Sequence, residues 1–344
     1  MPPTPKELGK PLLPPTQVTR VRFAPSGELL AACLDGTVRR WDVSGKEPTE
    51  RPALSGTHKG WVTAVTSGDG KMFTADSWGG LITWHATGNE WKPCCTVYTA
   101  HDGWLRALAV SPDGERAVSC GKDGFVRWWA TDDGRRTAEL DIQADALSVV
   151  YAADGKSVFV GDLFGIVREI AVRGRKELRR FDAKELYKLD RIQDVGGAKV
   201  LLLDPAGKTL FVGGAIPTGG GFVECTPLLL AFDAESGKRL SQWKGDNNKD
   251  GYVTDLAWHP DGFVAGTTSG QPGQGKFFLW KPGDAAPFFV NTKMPNCHSV
   301  AIHPNGSLIA VSGTNANSSG NGRVKGKDGD YPANTSPIQV WRVG

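Results

Sequence analysis

No run of apolar residues in this 344-residue chain approaches the roughly 18 that a membrane-spanning helix needs. The first ten residues, MPPTPKELGK, lack the apolar segment of a secretion signal. The expectation is a soluble, cytoplasmic protein with no membrane partner. An excess of one charge is missing too: 40 Lys and Arg stand against 37 Asp and Glu, a net +3, so the overall field does not point to a nucleic-acid ligand. The six cysteines, Cys33, Cys94, Cys95, Cys120, Cys225 and Cys297, form no CxxC pair and no dense framework. That spacing argues against a zinc ribbon or a disulfide scaffold. Cys94 and Cys95 are adjacent, which puts them on opposite faces of a strand, with one expected in the core. Glycine and proline are abundant instead: 44 and 22 residues, close to a fifth of the chain. Such a density of chain-breaking residues disfavours a helical protein, while 40 % apolar residues, with twelve Trp among them, suffice for a substantial core.

The glycines are periodic. A short apolar strand followed by a turn ending in Gly recurs at Gly27, Gly70, Gly114, Gly155, Gly207, Gly262 and Gly306, with spacings of 43, 44, 41, 52, 55 and 44 residues. Each turn precedes a second strand and then a third that ends on a large apolar residue: Trp41, Trp84, Trp129, Ile170, Phe232, Trp280 and Trp341. Every unit thus holds three or four strands, each too short to be stable alone and each bounded by turn chemistry.

The stretch His101 to Trp129, HDGWLRALAVSPDGERAVSCGKDGFVRWW, closely resembles a WD40 repeat. The resemblance covers nearly the whole chain and implies an all-β fold, a seven-bladed β-propeller. It further implies that His101, Ser119, Asp123 and Trp129 form a hydrogen-bonded tetrad locking one blade; buried indole and hydroxyl groups each need a partner. Blade 1 keeps Asp35, Trp41 and Asp42 but has Ala31 in the Ser position; blade 2 keeps His58, Thr74 and Trp84, with Trp78 in place of the Asp. In blade 6, KDGYVTDLAWHPDG aligns Lys249 with the His, and blades 4, 5 and 7 lose the tetrad. The chain is expected to be one domain over 1–344, with blades at about 18–56, 57–99, 100–143, 144–190, 191–246, 247–292 and 293–344. Only three residues follow Trp41's last counterpart, Trp341, whereas 26 precede Gly27. Segment 7–17, ELGKPLLPPTQ, is therefore expected to supply the outer strand of the last blade and close the ring, its prolines tolerated at a sheet edge.

From turn Gly to third-strand anchor the units run 14, 14, 15, 15, 25, 18 and 35 residues, so blades 5, 6 and 7 carry insertions of about 11, 4 and 21. The resemblance places these loops on one face, the top, together with an enlarged blade 4–5 connection. Trp61 and Trp104 follow the loop His by three positions, Tyr252 is their counterpart in blade 6, and Trp78 occupies a neighbouring turn. For any single one of them packing against the next blade is the favoured role, but four converging on one face favour a binding surface. With Lys249 they are the candidate partner-binding residues.

The sequence shows no nucleophile with a base, no pair of tuned carboxylates and no metal-ligand cluster. His259 and His303 sit in HPDG and HPNG turns, where a turn-stabilising role is expected, and His85 and His298 have no recognisable partner. The insertion 314–335 contains Asp328-Gly329-Asp330, two carboxylates without the remaining ligands of a calcium loop, and neither metal nor cofactor is expected. AFDAESGKRLSQW in blade 5 resembles one repeat of quinone-dependent propeller dehydrogenases, in a single copy. Residues 168–191 hold nine Arg or Lys against five Asp or Glu, read as an edge strand protected from aggregation rather than as a nucleic-acid surface. The expected function is a non-catalytic scaffold that binds a protein or peptide through the top face, monomeric by itself or within a larger complex. The alternative is a propeller enzyme, or a small-molecule or ion binder, using the central channel.

Overall fold

The computed structural model describes residues 3–68, 70–218, 224–271, 273–314 and 334–344. Seven four-stranded antiparallel sheets carry the fold, and in each of the first six the strands follow chain order. Calling the strands a to d from the inside out, blade 1 comprises Val18–Phe23, Leu29–Cys33, Val38–Asp42 and Thr49–Leu54; blade 3 comprises Leu105–Val110, Arg116–Gly121, Phe125–Ala130 and Arg136–Asp141. The a strands of successive blades touch in an unbroken cycle, and that of blade 7, Ser299–Ile302, touches that of blade 1. This is a closed seven-bladed propeller.

The last sheet is completed from the other end of the chain. Lys6–Glu7 pairs antiparallel with Ile338–Arg342, Lys6 opposite Arg342 and Glu7 opposite Trp341. The Leu8 amide then donates to the Val340 carbonyl, and Leu12 exchanges both bonds with Ile338. Leu8 and Leu12 also pack on the cluster of Val18, Trp41, Leu308 and Val340 between the first and last blades, so closure is both a ladder and an apolar contact.

Apolar clusters fill the seams between neighbouring blades, as expected when each sheet is too thin to bury its own faces. All seven third-strand anchors are at most 4 % exposed. Positive φ at each of the seven repeat glycines, Gly27 through Gly306, explains their recurrence.

Two of the enlarged connections form additional β-structure among the described residues. The blade 4–5 connection folds into a two-stranded hairpin, Tyr187–Asp190 with Gln193–Gly196, which straddles the expected boundary at 190–191. Blade 5 absorbs its insertion by lengthening two strands, Thr209–Pro217 and Cys225–Asp233, paired in register along their whole length. Of the blade 7 insertion, residues 315–333, Asp328 and Asp330 among them, lie outside the described residues. Cys94 is exposed and Cys95 half-buried, so neither is in the core: their strand, Glu90–Val97, is the outer edge of blade 2 and has no layer beyond it.

Candidate site at the mouth of the central channel

Five of the seven a strands begin with the same irregularity. The pairing register slips by one residue between Val18 and Arg20, Val62 and Ala64, Leu105 and Ala107, Ala146 and Ser148, and Val253 and Asp255. The extra residue is unpaired and is turned away from the ladder, as at a β-bulge. These residues are Thr19, Thr63, Arg106, Leu147 and Thr254, and all five line one cavity of about 350 Å³. Lys199 and His298, each immediately before the a strand of its own blade, complete the set. The channel mouth is therefore a ring of seven side chains, one per blade.

The threonines in this ring are used up by structure. Thr19 donates to the Val62 carbonyl of the next blade at 2.5 Å, Thr63 to that of Leu105 at 2.7 Å and Thr254 to that of Cys297 at 2.8 Å. Arg106 bridges its seam differently, with Nη2 2.8 Å from Asp145 Oδ2 and Nε 3.3 Å from Oδ1. Lys199 has no carboxylate partner among the described residues; its ammonium lies 4.7 Å from the centroid of the Tyr252 ring. Burial lowers the Lys199 pKa, and the nearby Arg106 lowers it further.

Above the ring stand the aromatic residues. Trp61 and Trp104 meet edge to face, centroids 5.7 Å apart, and remain 47 % and 40 % exposed. Tyr252 lines the same cavity, and burial pushes its hydroxyl pKa up. The blade 4–5 hairpin supports that side: its Val195 packs with Ala215 and Cys225 of the lengthened blade 5 strands and with Tyr252. Trp78 is 66 % exposed and lies over Gly60, next to Trp61, rather than in the cavity. Lys249 is exposed and likewise outside it. The structure thus brings together three of the five candidate residues.

Arg20 reaches across the mouth, its Nη1 2.9 Å from the Thr254 carbonyl and 3.5 Å from Asp255 Oδ1. A second, smaller space of about 110 Å³ shares Arg20, Arg106, Leu147 and Lys199 with the first and is also lined by Arg22 and Asp255. Burial, with Arg20 adding to it, pushes the His298 imidazole down to about 4, so this ring is neutral at pH 7. Sequence reasoning missed Arg20, Arg106, Lys199 and His298. One signal was available: Thr63, Arg106 and Thr254 each follow the aromatic residue of their repeat by two positions. Blades 5 and 7 lack that aromatic register, and nothing in the sequence singled out Lys199 or His298.

Below the mouth the blades are locked by buried polar chains. In blade 3, His101 Nδ1 lies 2.9 Å from Asp123 Oδ1, its Nε2 lies 2.7 Å from Ser119 Oγ, and Trp129 Nε1 donates to that oxygen at 2.8 Å. A proton on Nδ1 satisfies every member: the histidine donates to the carboxylate and accepts the serine hydroxyl. Blade 2 has the same chain, in which His58 contacts Asp76 at 2.9 Å and Thr74 at 2.7 Å, and Trp84 donates to Thr74 at 2.8 Å. The reading of Trp78 as the replacement for the carboxylate is corrected here: Asp76, two positions earlier, reaches the same histidine nitrogen. Blade 3 has Gly121 at that position, where an added Cβ would lie 2.6 Å from His101 Nδ1, so one site per blade supplies the acid and the other stands clear. Blade 4 also uses the earlier position; fully buried Asp162 pairs with Arg168 and accepts the Phe164 and Ile166 amides at 2.9 Å each. In blade 6 the buried Asp250 pairs with the partly exposed Lys276 at 2.8 Å, while Lys249 is exposed.

The histidines of the two HP turns differ. His259 is buried and its Nε2 contacts the Gly306 carbonyl of the next blade at 2.8 Å, whereas His303 contacts Asn305 on the surface at 2.6 Å. No helix among the described residues is long and apolar enough to cross a membrane.

Comparison with known proteins adds to this geometry. The family described as "WD domain, G-beta repeat" matches residues 13–42 and 92–130. The second match starts in the outer strand of blade 2 and ends with the third strand of blade 3, so the sequence repeat is offset from the blade by one strand. Similar curated proteins include the small ribosomal subunit protein RACK1y of Oryza sativa subsp. japonica, 28 % identical over 144 residues, 38 % of this chain and 41 % of that protein. The ribosome biogenesis protein YTM1 of Saccharomyces cerevisiae is 33 % identical over 108 residues, 30 % of this chain and 22 % of its own length. A p21-activated protein kinase-interacting protein 1-like of Danio rerio is 30 % identical over 121 residues, 35 % and 32 %. The chain spans less than half the length of each of these relatives.

Proposed function

We propose that this chain, a seven-bladed β-propeller that carries WD40 repeats, is a non-catalytic scaffold that binds a peptide segment of a protein partner over the mouth of its channel. The observation that carries this reading is the exposed Trp61–Trp104 pair at the rim of a 350 Å³ cavity. Large aromatics at the centre of a rigid, concave surface are the side chains that most often anchor interfaces. The named relatives support it at a coarser level, since one is described as an interacting partner of a kinase and two as ribosomal or ribosome-biogenesis proteins. The chemistry of the mouth suits holding a ligand rather than moving protons: its nearby carboxylates, Asp145 and Asp255, are each engaged by arginine. A cytoplasmic location and service within a larger complex belong to the same proposal.

The test is quantitative affinity capture from cells with the intact chain, with Trp61, Trp104 and Tyr252 together replaced by Ala, and with residues 314–335 deleted. Loss of the same partners in the triple variant is the expected result. An unchanged partner set with a folded triple variant refutes the assignment to the mouth, and loss only in the deletion moves the site to the rim of blade 7.

A further inference from the structure

We propose that Lys199, Arg106 and Arg20 make the channel mouth a receptor for a carboxylate, so that the peptide segment bound there is acidic. The inference rests on the mouth reading above and names the chemistry of its ligand. Its first support is the seven-membered ring. Where the ring residue is threonine, the hydroxyl is spent on the next blade's backbone, and at the seam between blades 4 and 5 that bond comes instead from Ser148 to the Ala198 carbonyl at 2.7 Å. Lys199 stands in the same ring and makes no such bond; its charge is directed at the Tyr252 ring and the cavity.

The second support is charge balance. Four cations, Arg20, Arg22, Arg106 and Lys199, line the two neighbouring spaces, and the carboxylates that reach them among the described residues are Asp255 and Asp145. Arg22 takes both oxygens of Asp255 and Arg106 takes both of Asp145. Arg20 is left sharing Asp255 at 3.5 Å, and Lys199 has no acid. A partly desolvated cluster with two positive charges in excess attracts an anion more strongly than the same charges in water, and a carboxylate between Lys199 and Arg106 would gain charge-assisted hydrogen bonds. Burial and the nearby Arg106 already depress the Lys199 pKa, a cost that an entering anion would relieve.

The third support is shape. Trp61, Trp104 and Tyr252 line the cavity, the two tryptophans with much of their surface exposed, which suits an extended chain that lays apolar surface on the rings and inserts one acidic side chain. The unbalanced cations at the mouth form a small cluster in a chain with a net charge of only +3, which favours a local acidic contact over the long basic track a nucleic acid needs.

The experiment is fluorescence anisotropy of fluorescein-labelled hexaglutamate with the intact chain, against hexaglutamine. Saturable binding of hexaglutamate alone is expected, weakened about tenfold or more in Lys199→Met, largely kept in Lys199→Arg and unchanged in Lys156→Met, which lies in the turn between the a strand Ala146–Tyr151 and the b strand Ser157–Asp162 of blade 4, outside both spaces. Equal binding by Lys199→Met and the wild type, or by the two peptides, overturns the inference. Inorganic phosphate that competes as strongly per mole as the peptide also overturns it, by making the mouth a small-anion site. Thermal melts establish that each variant is folded. If hexaglutamate fails while the triple aromatic variant still loses its captured partners, the acidic preference falls and the mouth reading stands; if the triple variant keeps them, the mouth reading falls as well.

Discussion

Arg22 Nη1 and Nη2 lie 2.7 and 3.1 Å from the two carboxylate oxygens of Asp255, so blade 1 is tied to blade 6 past the blade that separates them in the ring. Asp255 also accepts the Ser299 hydroxyl and, at 3.1 Å, the Val300 amide of that intervening blade 7. One carboxylate, 1 % exposed, thus joins three blades where the two ends of the chain meet. Burial opposes its ionisation, but Arg22 and Arg20 outweigh that and hold its pKa below the usual range.

Asp255→Ala leaves Arg22 without its buried partner and is expected to destabilise the fold by about 3–5 kcal/mol, read as a fall in the urea midpoint. Because the folded pKa is depressed, the stability from Asp255 is present above the unfolded value near 3.8 and is lost as pH falls through the lower folded value. The acid limb of a stability–pH curve should therefore flatten in this variant. An unchanged midpoint would show that the ion pair contributes nothing net.

The blade 2 lock makes a discriminating pair of substitutions. Asp76 is pushed up by burial and, more strongly, down by the bonds from His58 and the Gly80 and Trp78 amides. Asp76→Ala strips His58 of its acceptor and is expected to cost about 1–3 kcal/mol, whereas Trp78→Ala should stay within about 0.5 kcal/mol, as for other exposed positions. Chemical denaturation of the two variants decides; the reverse order would return position 78 to the lock.

His298 predicts a pH effect in a different window. Its folded pKa, about 4, lies below the ordinary 6.5, so its neutral form contributes stability that is complete above pH 6.5 and is lost progressively as pH falls toward about 4. Burial lowers the His101 pKa as well, which adds to the same slope. His298→Gln should reduce, without abolishing, the loss of unfolding free energy between pH 6.5 and 4. A slope identical to that of the wild type would mean that the imidazole is hydrated.

Deleting residues 1–13 removes the Lys6–Glu7 strand, the Leu12–Ile338 bridge and two leucines from the seam between blades 7 and 1. Loss of at least about 2 kcal/mol is expected from the apolar contacts alone, together with self-association through the freed edge of Ile338–Arg342. Melting curves and light scattering test both parts. A monomer of unchanged stability would show that the ring closes without this segment.

Much of this architecture is legible along the chain because its causes are local. A turn glycine with positive φ and a strand ending in a large buried apolar residue, aromatic in all blades but the fourth, recur with each blade, and seven of them specify seven blades. The closing strand was legible by counting, since Trp341 leaves too few residues for an outer strand and the segment before Gly27 has too many. Trp61, Trp104 and Tyr252 were legible as a group because the repeat places them at equivalent positions. The lock of blade 2 was not, because a carboxylate two residues earlier reaches the same nitrogen only where the neighbouring position leaves room, and room is a property of packing.

The sequence by itself therefore determined the number of blades, their order and the way the ring closes, since each follows from turns and strands that neighbouring residues dictate. Only the tertiary structure decided what stands at the channel mouth. Thr19, Thr63, Arg106, Leu147, Lys199, Thr254 and His298 are spread over almost the whole chain and meet around one cavity when the ring closes. Whether a hydroxyl is spent on a neighbouring carbonyl, or a lysine left without an acid, depends on that meeting.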